Sequence, residues 1–334
     1  MTPIADQQPS VADRIRPIDA GAPVVGAHFL GSDAVFVLAE EALLFASAAG
    51  EISRVPVHAG AILASAAESG RILTGGDDAT VVSTNAKGES QTIARDSRQR
   101  WIDHVAAGPS GTIAWSAGKT AFARPAKGEE CSLDLPSTVG GIAFAPKGFR
   151  LAIAHYIGVS LWFPNVQTPP ERLEWKGSHL GVSFSPDGKF VVSSMQEPTL
   201  HGWRVADRKD MRMSGYSARV RSMDWSSDGR WLASSGSEQL ILWPFQGKDG
   251  PMGKQPRICG VYPDRVTLVA CHPRAPVVAV GYADGLILLV QIEDQGEILV
   301  RKPGGAPVSA LAWSSEGAIL AFGIEEGAAG LLRL

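Results

Sequence analysis

The chain is built from eight copies of one short pattern, in which an apolar run, a turn and a second apolar run follow each other. The clearest copies are GVSFSPDGKFVVSS at residues 181–194, VRSMDWSSDGRWLASSG at 220–236 and VSALAWSSEGAILAFG at 308–323. A fixed period constrains the fold more than a single motif does, because each unit is too small to bury its own faces and must stack on its neighbours. We therefore expect function to lie on surfaces that the array creates.

The spacing of the units predicts the kind of array. The first apolar runs begin at positions 24, 61, 104, 139, 180, 220, 266 and 308, so the steps are 37, 43, 35, 41, 40, 46 and 42 residues. Steps of this size are typical of four-stranded propeller blades. The runs are short and are separated by Gly, Asp, Ser and Pro, which predicts antiparallel hairpins and very little helix.

The two ends of the chain indicate how such a ring would close. The last unit has segments for three strands and lacks a fourth, whereas residues 13–19 near the start read DRIRPID and can supply it. Joining the ends in one sheet would leave no exposed edge. The sequence thus predicts an all-β, eight-bladed propeller over residues 13–334, with a disordered segment at residues 1–12. Seven blades is the alternative, because the second and third units are weakly marked.

Three motifs resemble the WD-repeat (WD40) β-propeller family. They are SPDGKFVVSS followed by HGWRV, SSDGRWLASSGSEQLILWPF, and TGGDDATVV at residues 74–82, which is similar to the family's acidic turn between second and third strands. The resemblance covers residues 20–334 and implies a degenerate bacterial member. The family's third-strand tryptophan occurs at only three positions, Trp162, Trp203 and Trp243. The family's Gly-His ahead of the first strand survives only loosely, as Gly177-Ser178-His179. We therefore expect the family's His–Asp hydrogen-bond network to be mostly absent, and apolar packing between blades to provide most of the stability.

Composition excludes several classes of partner and location. The formal net charge of -3 does not favour nucleic acid or an anionic membrane as the main partner. No apolar stretch reaches the ~20 residues that cross a bilayer, and the first residues do not form a signal peptide. Three separated cysteines, Cys131, Cys259 and Cys271, predict reduced thiols and a cytoplasmic protein.

No motif predicts catalysis. The seven histidines do not pair as HxH, HxxxH or HExxH, and there is no GxSxG or phosphate-binding loop. Asp77 and Asp78 follow two glycines, where an acidic residue is expected to cap a tight turn. We therefore predict a protein that is not an enzyme and has no cofactor or metal. The alternative is a propeller enzyme, or a small-ligand or metal-binding protein, that uses the mouth of the central channel.

The predicted contact face is formed by turns between second and third strands and by the connections between blades. Aromatic and arginine side chains in such loops are the types enriched at binding hot spots. The candidate contacts are Trp101, Tyr156, His179, His201, Tyr216, Arg219, Arg221 and Tyr282. These residues predict a non-catalytic protein–protein interaction scaffold or recruiting subunit.

One stretch within the repeat array is basic. Residues 202–257 carry ten Lys or Arg and six Asp or Glu, and Arg212, Arg219 and Arg221 cluster within them. This charge predicts a patch that receives an acidic segment of a protein partner. The resemblance alone adds a metal-handling GTPase as a candidate partner.

Overall fold

Seven antiparallel sheets, arranged as a ring, make up the fold in the computed structural model of the chain, which describes residues 11–68 and 70–334. Six sheets have four strands and one has six. The middle strands are almost wholly buried, because neighbouring sheets cover both of their faces, whereas most residues of the outer strands are exposed or half-buried. Two short 3-10 turns, Val11–Arg14 and Pro109–Gly111, are the helical segments of the described residues, in agreement with the predicted near absence of helix.

The strands are numbered along the chain, and β1 (Ile15–Asp19) belongs to the last sheet. Sheet 1 contains β2 (Val24–Leu30), β3 (Asp33–Leu38), β4 (Ala42–Ala46) and β5 (Ile52–Pro56). Sheet 2 contains β6 (Ile62–Glu68), β7 (Arg71–Gly76), β8 (Thr80–Asn85) and β9 (Ser90–Arg95). Sheet 3 contains β10 (His104–Gly108), β11 (Thr112–Ala117), β12 (Thr120–Arg124) and β13 (Cys131–Asp134).

Sheet 4 is the six-stranded sheet. It contains β14 (Gly141–Phe144), β15 (Leu151–Trp162), β16 (Glu171–Phe184), β17 (Phe190–Met195), β18 (Leu200–Arg204) and β19 (Asp210–Met213). Sheet 5 contains β20 (Met223–Trp225), β21 (Trp231–Ser234), β22 (Leu240–Pro244) and β23 (Arg257–Cys259). Sheet 6 contains β24 (Val266–Cys271), β25 (Val277–Tyr282), β26 (Ile287–Gln291) and β27 (Glu297–Arg301). Sheet 7 contains β28 (Val308–Trp313), β29 (Ile319–Ile324), β30 (Ala328–Arg333) and β1.

The predicted number of eight blades is corrected to the alternative, seven. All eight predicted first strands are present, but the units that start at 139 and 180 share sheet 4. The physical reason is that β16 continues for 14 residues from one unit into the next. Its first part pairs with β15 and its second part with β17, with a register shift at His179/Gly181.

The ring closes as predicted, by a strand from the start of the chain. Strand β1 pairs antiparallel with β30, so that Ile15 lies opposite Leu332 and Asp19 opposite Ala328. Sheet 7 therefore combines segments from both ends of the sequence. Residues 1–10 of the predicted disordered segment lie outside the described residues.

Apolar cores lie between neighbouring sheets. Phe36 and Leu44 of sheet 1, for example, share a buried cluster with Ala321 and Leu331 of sheet 7. Similar clusters join sheet 6 to sheet 7, sheet 5 to sheet 6, and sheet 4 to sheet 5. This is the packing between blades that the sequence predicts.

The first strand of each unit lines the centre of the ring, and on one side these strands are joined by hydroxyl groups. Ser222 Oγ donates a hydrogen bond to the carbonyl oxygen of Val269 (3.3 Å), and Thr267 Oγ1 donates to that of Val308 (2.8 Å). Ser309 Oγ donates likewise to the carbonyl of Val24. We call this arc, from sheet 5 through sheets 6 and 7 to sheet 1, the clasped side.

On the other side the inner strands meet through glycine. The Cα atom of Gly181 lies 3.0 Å from where a Cβ of Gly141 would stand, and a Cβ at Gly140 would collide with the carbonyl oxygen of His179. Side chains are therefore excluded from this junction, and β14 approaches β16 backbone to backbone. We call this arc within sheet 4 the glycine side.

Candidate functional site

The turns between second and third strands and the connections between sheets lie at one end of the ring, which we call the loop face. Hydrogen bonds join the two kinds of loop. The Tyr156 N–H, in a turn, donates to Ser137 Oγ of a connection (2.9 Å), and Tyr262 Oη, in a connection, donates to Asp284 Oδ2 of a turn (2.7 Å). All eight predicted contacts belong to this end of the molecule or to the strands beneath it.

Four of the eight predicted contacts are buried. His179, His201, Tyr216 and Tyr282 have exposed fractions of 1%, 0%, 8% and 0%. They lie under the loop face, so they are corrected from surface contacts to supporting residues. The other four, Trp101, Tyr156, Arg219 and Arg221, are at least partly accessible.

Tyr216 and Tyr282 fasten connections to the strands below them. Tyr216 Oη accepts from Trp243 Nε1 (2.7 Å) and bonds to Ser234 Oγ (2.7 Å). Tyr282 Oη donates to the carbonyl of Gly260 (2.5 Å). Burial raises the pKa of both phenols, although the hydrogen bonds to Tyr216 act in the opposite direction. Both side chains therefore remain neutral, structural hydrogen-bonding groups.

His179 and His201 occupy a buried aromatic cluster in sheet 4. His179 bonds through Nδ1 to Ser193 Oγ (2.7 Å). The His201 ring stacks on Trp175 with 4.0 Å between ring centroids. Within the described part of the chain neither of its nitrogens has a hydrogen-bond partner, although Asp210 Oδ2 lies 3.5 Å from Nε2. Burial lowers the pKa of His201 to about 4, more than the nearby Asp210 carboxylate raises it. The ring is thus neutral at physiological pH.

A His–Asp network is present in sheet 2, which is a local exception to the expectation that such networks are mostly absent. His58 lies 3.0 Å from Asp78 Oδ1 and 2.8 Å from Thr74 Oγ1. Asp78 also accepts the N–H groups of Ala59 (3.0 Å) and Thr80 (3.1 Å), so it caps the turn as predicted. Burial raises the pKa of Asp78, but these hydrogen bonds outweigh it and lower the pKa to about 2.

Trp101 is held outward by a rigid connection between sheets 2 and 3. Its exposed fraction is 60%, although the next residue, Ile102, is fully buried. Asp96 organises the loop, since Oδ2 accepts the N–H groups of Arg98 (3.0 Å) and Arg100 (2.9 Å) and Oδ1 pairs with the Arg100 guanidinium (2.7 Å). The indole is therefore presented to solvent on a fixed backbone.

Tyr156 lies in the tight turn inside β15 and is 49% exposed. The turn contains Ile157 at φ 73°, an unusual conformation for a β-branched residue, followed by Gly158 at φ 140°. Ile157, in the same turn, is also partly exposed, as is Trp175 on β16, which follows Glu174, the pairing partner of Gly158. This part of the loop face thus presents apolar groups.

The predicted basic cluster is rearranged. Arg212 lies on the outer strand β19 and borders a different cavity from Arg219 and Arg221. Arg265, from the next connection, takes its place beside them. The signal in the sequence was the repeat itself, because Arg265 precedes the buried Val266 as Arg219 precedes the buried Val220.

These three arginines border one half of the mouth of the central channel. Their cavity has a volume of about 520 Å³ and also includes Val25. A second cavity, of about 640 Å³, extends from Val25 across the glycine side and is bordered by Leu63 and Leu180. The mouth therefore has a cationic half, and a second half that is lined by no Lys or Arg of the described residues and to which Asp103 and His104 also contribute.

Three further observations concern metal binding, membrane-spanning helices and thiols. Among residues 11–68 and 70–334, no three His, Cys, Asp or Glu side chains form a group suited to a metal ion. In the same residues no helix has the length and apolarity needed to cross a membrane. Cys131, Cys259 and Cys271 are free thiols.

The fold and its inner ring of strands define a β-propeller. The model of the WD40 family, described as "WD domain, G-beta repeat", matches residues 209–243, which confirms the resemblance to the WD-repeat family. A ribosome biogenesis protein WDR12 homolog from Drosophila mojavensis is 22% identical over 121 residues, which is 34% of this chain and 29% of that protein. The chain thus matches less than a third of that relative's length.

The fold is also similar to a solved structure. The crystal structure of the computationally designed protein Ika8 has a TM-score of 0.71 and 16% sequence identity, and the match covers 95% of this chain and 98% of the designed one. At this identity the similarity concerns the fold alone.

Proposed function

We propose that the protein is a non-catalytic, cytoplasmic interaction scaffold or recruiting subunit that binds a protein partner on its loop face. The observation that carries the proposal is Trp101, a large aromatic side chain that is 60% exposed on a backbone fixed by Asp96. An exposed aromatic group on a rigid support buries much area at little entropic cost, which is how hot-spot residues act. WD-repeat propellers as a family generally bind protein partners.

The proposed contact set is smaller than the one predicted from sequence. It contains Trp101, Tyr156, Arg219 and Arg221, which are accessible, while the four buried candidates support the loops. The exposed arginines favour an acidic segment of the partner. A metal-handling GTPase remains a prediction for the partner's identity.

The test is an affinity pull-down from the native organism, analysed by mass spectrometry, with the wild type beside Trp101→Ala and Tyr156→Ala. We expect a partner to be retained by the wild type and lost from the variants, since a hot-spot side chain contributes about 2 kcal/mol, or about 30-fold in affinity. Melting temperatures should be unchanged, because both side chains are exposed.

Phe163→Ala is the matched control. Phe163 is also a partly exposed aromatic residue, but it follows β15 at the opposite end of the ring. A partner that is lost equally from Phe163→Ala, or retained by both loop-face variants, would place the interaction elsewhere and refute the proposal.

A further inference from the structure

Three arginines border one cavity at the channel mouth. Arg219 and Arg221 come from the connection between β19 and β20, and Arg265 comes from that between β23 and β24. None of the three forms an ion pair among residues 11–68 and 70–334; Arg219 donates one hydrogen bond to Gln196 Oε1 (3.0 Å). Glu325 is the acidic residue on the same cavity. Hydrogen bonds lower the pKa of nearby Glu238, and Arg265 lies close enough for its charge to help lower that pKa. The site therefore has an excess of positive charge.

The backbones that carry the arginines are fixed. The N–H of Arg221 donates to Ser235 Oγ (3.2 Å), and the carbonyl of Arg265 accepts the Ala283 N–H (2.9 Å). Val220 and Val266, beside the arginines, are 2% and 1% exposed. The core thus fixes the backbone positions of the three arginines, which reduces the entropy lost when their guanidinium groups bind a ligand.

The remaining lining of this cavity is aliphatic or small. Val25, Leu268 and Val308 contribute apolar surface, and Val25 is 47% exposed. Of the residues that the structure describes, no aromatic side chain lines the cavity. The described lining therefore offers nucleobases no aromatic ring to stack on. It does offer apolar surface for aliphatic side chains of a ligand and guanidinium groups for its carboxylates.

We propose that the channel mouth binds an extended protein segment in which Asp or Glu residues stand beside aliphatic residues. The carboxylates pair with Arg219, Arg221 and Arg265, and the aliphatic groups cover Val25, Leu268 and Val308 of the same cavity. Planar guanidinium groups bind carboxylates through paired hydrogen bonds, so they suit this role better than lysines would. The inference rests on the proposed scaffold function and names the chemistry of its partner.

The experiment measures fluorescence anisotropy of a short labelled peptide of alternating Asp and Leu residues, titrated with the full chain. A peptide with Asn in place of each Asp is the uncharged comparison. We expect the acidic peptide to bind. Its affinity should fall steeply between about 50 mM and about 500 mM salt, because salt screens exposed ion pairs. The double variant Arg221→Ala/Arg265→Ala should weaken its binding about tenfold.

Arg212→Ala is the matched control, since Arg212 is an exposed arginine of the same region that borders another cavity. It should bind the acidic peptide as the wild type does. Absence of binding, equal binding of the Asn peptide, or an equal loss in Arg212→Ala would overturn the inference. A preference for labelled poly-uridine that the double variant loses would assign the arginines to nucleic acid and overturn it as well.

Failure of this inference can be told apart from failure of the scaffold proposal. If the acidic peptide does not bind while Trp101→Ala and Tyr156→Ala still release a captured protein, the mouth site is wrong and the scaffold stands. If neither the peptide nor any protein binds in a way that depends on these residues, both proposals are wrong.

Discussion

The clasped side and the glycine side solve the same packing problem by different means. On the clasped side, hydroxyl groups of Ser222, Thr267 and Ser309 reach the backbone of the next inner strand. On the glycine side, Gly140 and Gly141 have no side chain, and the backbones themselves come close. The first solution tolerates small changes in spacing, because a hydrogen bond can lengthen. The second depends on excluded volume, so adding even one methyl group should disrupt the packing of β14 against β16.

The largest expected effect concerns the closure of the ring on the clasped side. Deletion of residues 1–20 removes β1 and leaves the edge of β30 unpaired. We expect the free energy of unfolding to fall by about 5 kcal/mol or more, since five residue pairs and their packing are lost. Urea denaturation and the melting temperature measure it. Deletion of residues 1–10 is the control that keeps β1, and an equal melting temperature for the wild type and the 1–20 deletion would disprove this form of closure.

The next effect tests the glycine side. Gly140→Ala places a Cβ against the carbonyl oxygen of His179, which belongs to backbone and cannot rotate away. We expect a loss of about 3 kcal/mol in the free energy of unfolding. Gly26→Ala is the matched control on β2, because its Cβ would have only looser contacts, with Ser65 Oγ at 3.3 Å and Val37. Equal losses in the two variants would show that the glycine side is not a special junction.

A smaller, pH-dependent effect is expected at Asp224 on the clasped side. Its carboxylate accepts the N–H groups of Cys271 on β24 (2.7 Å) and of Trp225 (2.9 Å). Burial raises the pKa of Asp224 to about 6, and these hydrogen bonds only partly oppose the rise. Because the folded pKa exceeds the unfolded one, the contribution to stability is full below about pH 4 and is lost as the pH rises through about 6.

The corresponding test compares the wild type with Asp224→Asn across this range. Between about pH 4 and about pH 7 the wild type should lose about 2 kcal/mol of unfolding free energy relative to the variant. Subtracting the two curves removes groups that titrate in both proteins. A constant difference would mean that the Asp224 carboxyl titrates alike in the folded and unfolded chain.

The smallest effect is expected from a single hydroxyl clasp. Thr267→Val keeps the shape of the side chain but removes the hydrogen bonds to the carbonyls of Val308 and Gly281 (3.1 Å). We expect a loss of about 1 kcal/mol in the free energy of unfolding. Thr92→Val, on the exposed outer strand β9, is the control and should be near neutral. A loss larger than that of Gly140→Ala would reverse the proposed contrast between the two sides.

The repeat predicted the strands well because turn residues and apolar runs are local signals. All eight first strands and the closing β1 follow from them. The junction inside sheet 4 was missed because β16 continues through Gly177–Ser178–His179, a segment that reads as an ordinary connection. Whether a strand ends there depends on its pairing with β15 and β17, which is not a local property.

The contact residues were predicted less well, because the type of a residue does not show how deeply its side chain is buried. His201 and Tyr216 are on the predicted elements, but their rings lie beneath the loops. The His201 ring stacks on Trp175, and Tyr216 Oη bonds to Ser234 Oγ. Arg265 was overlooked because its distance in sequence from Arg221 hides their shared cavity, although the repeat places them equivalently.

The joining of distant segments in sheet 7 has a consequence for the time course of folding. Most strand pairs form between neighbours in sequence, but β1 with β30, and Ser309 with Val24, join residues about 300 apart, 285 in the second case. Forming such a contact first costs the entropy of closing a long loop, and only then gains packing energy, so these contacts form late. We therefore expect the individual sheets to assemble quickly and an open, arc-shaped intermediate to accumulate before the ring shuts. The pairing of β1 with β30 should also be the first to be lost when the native protein unfolds.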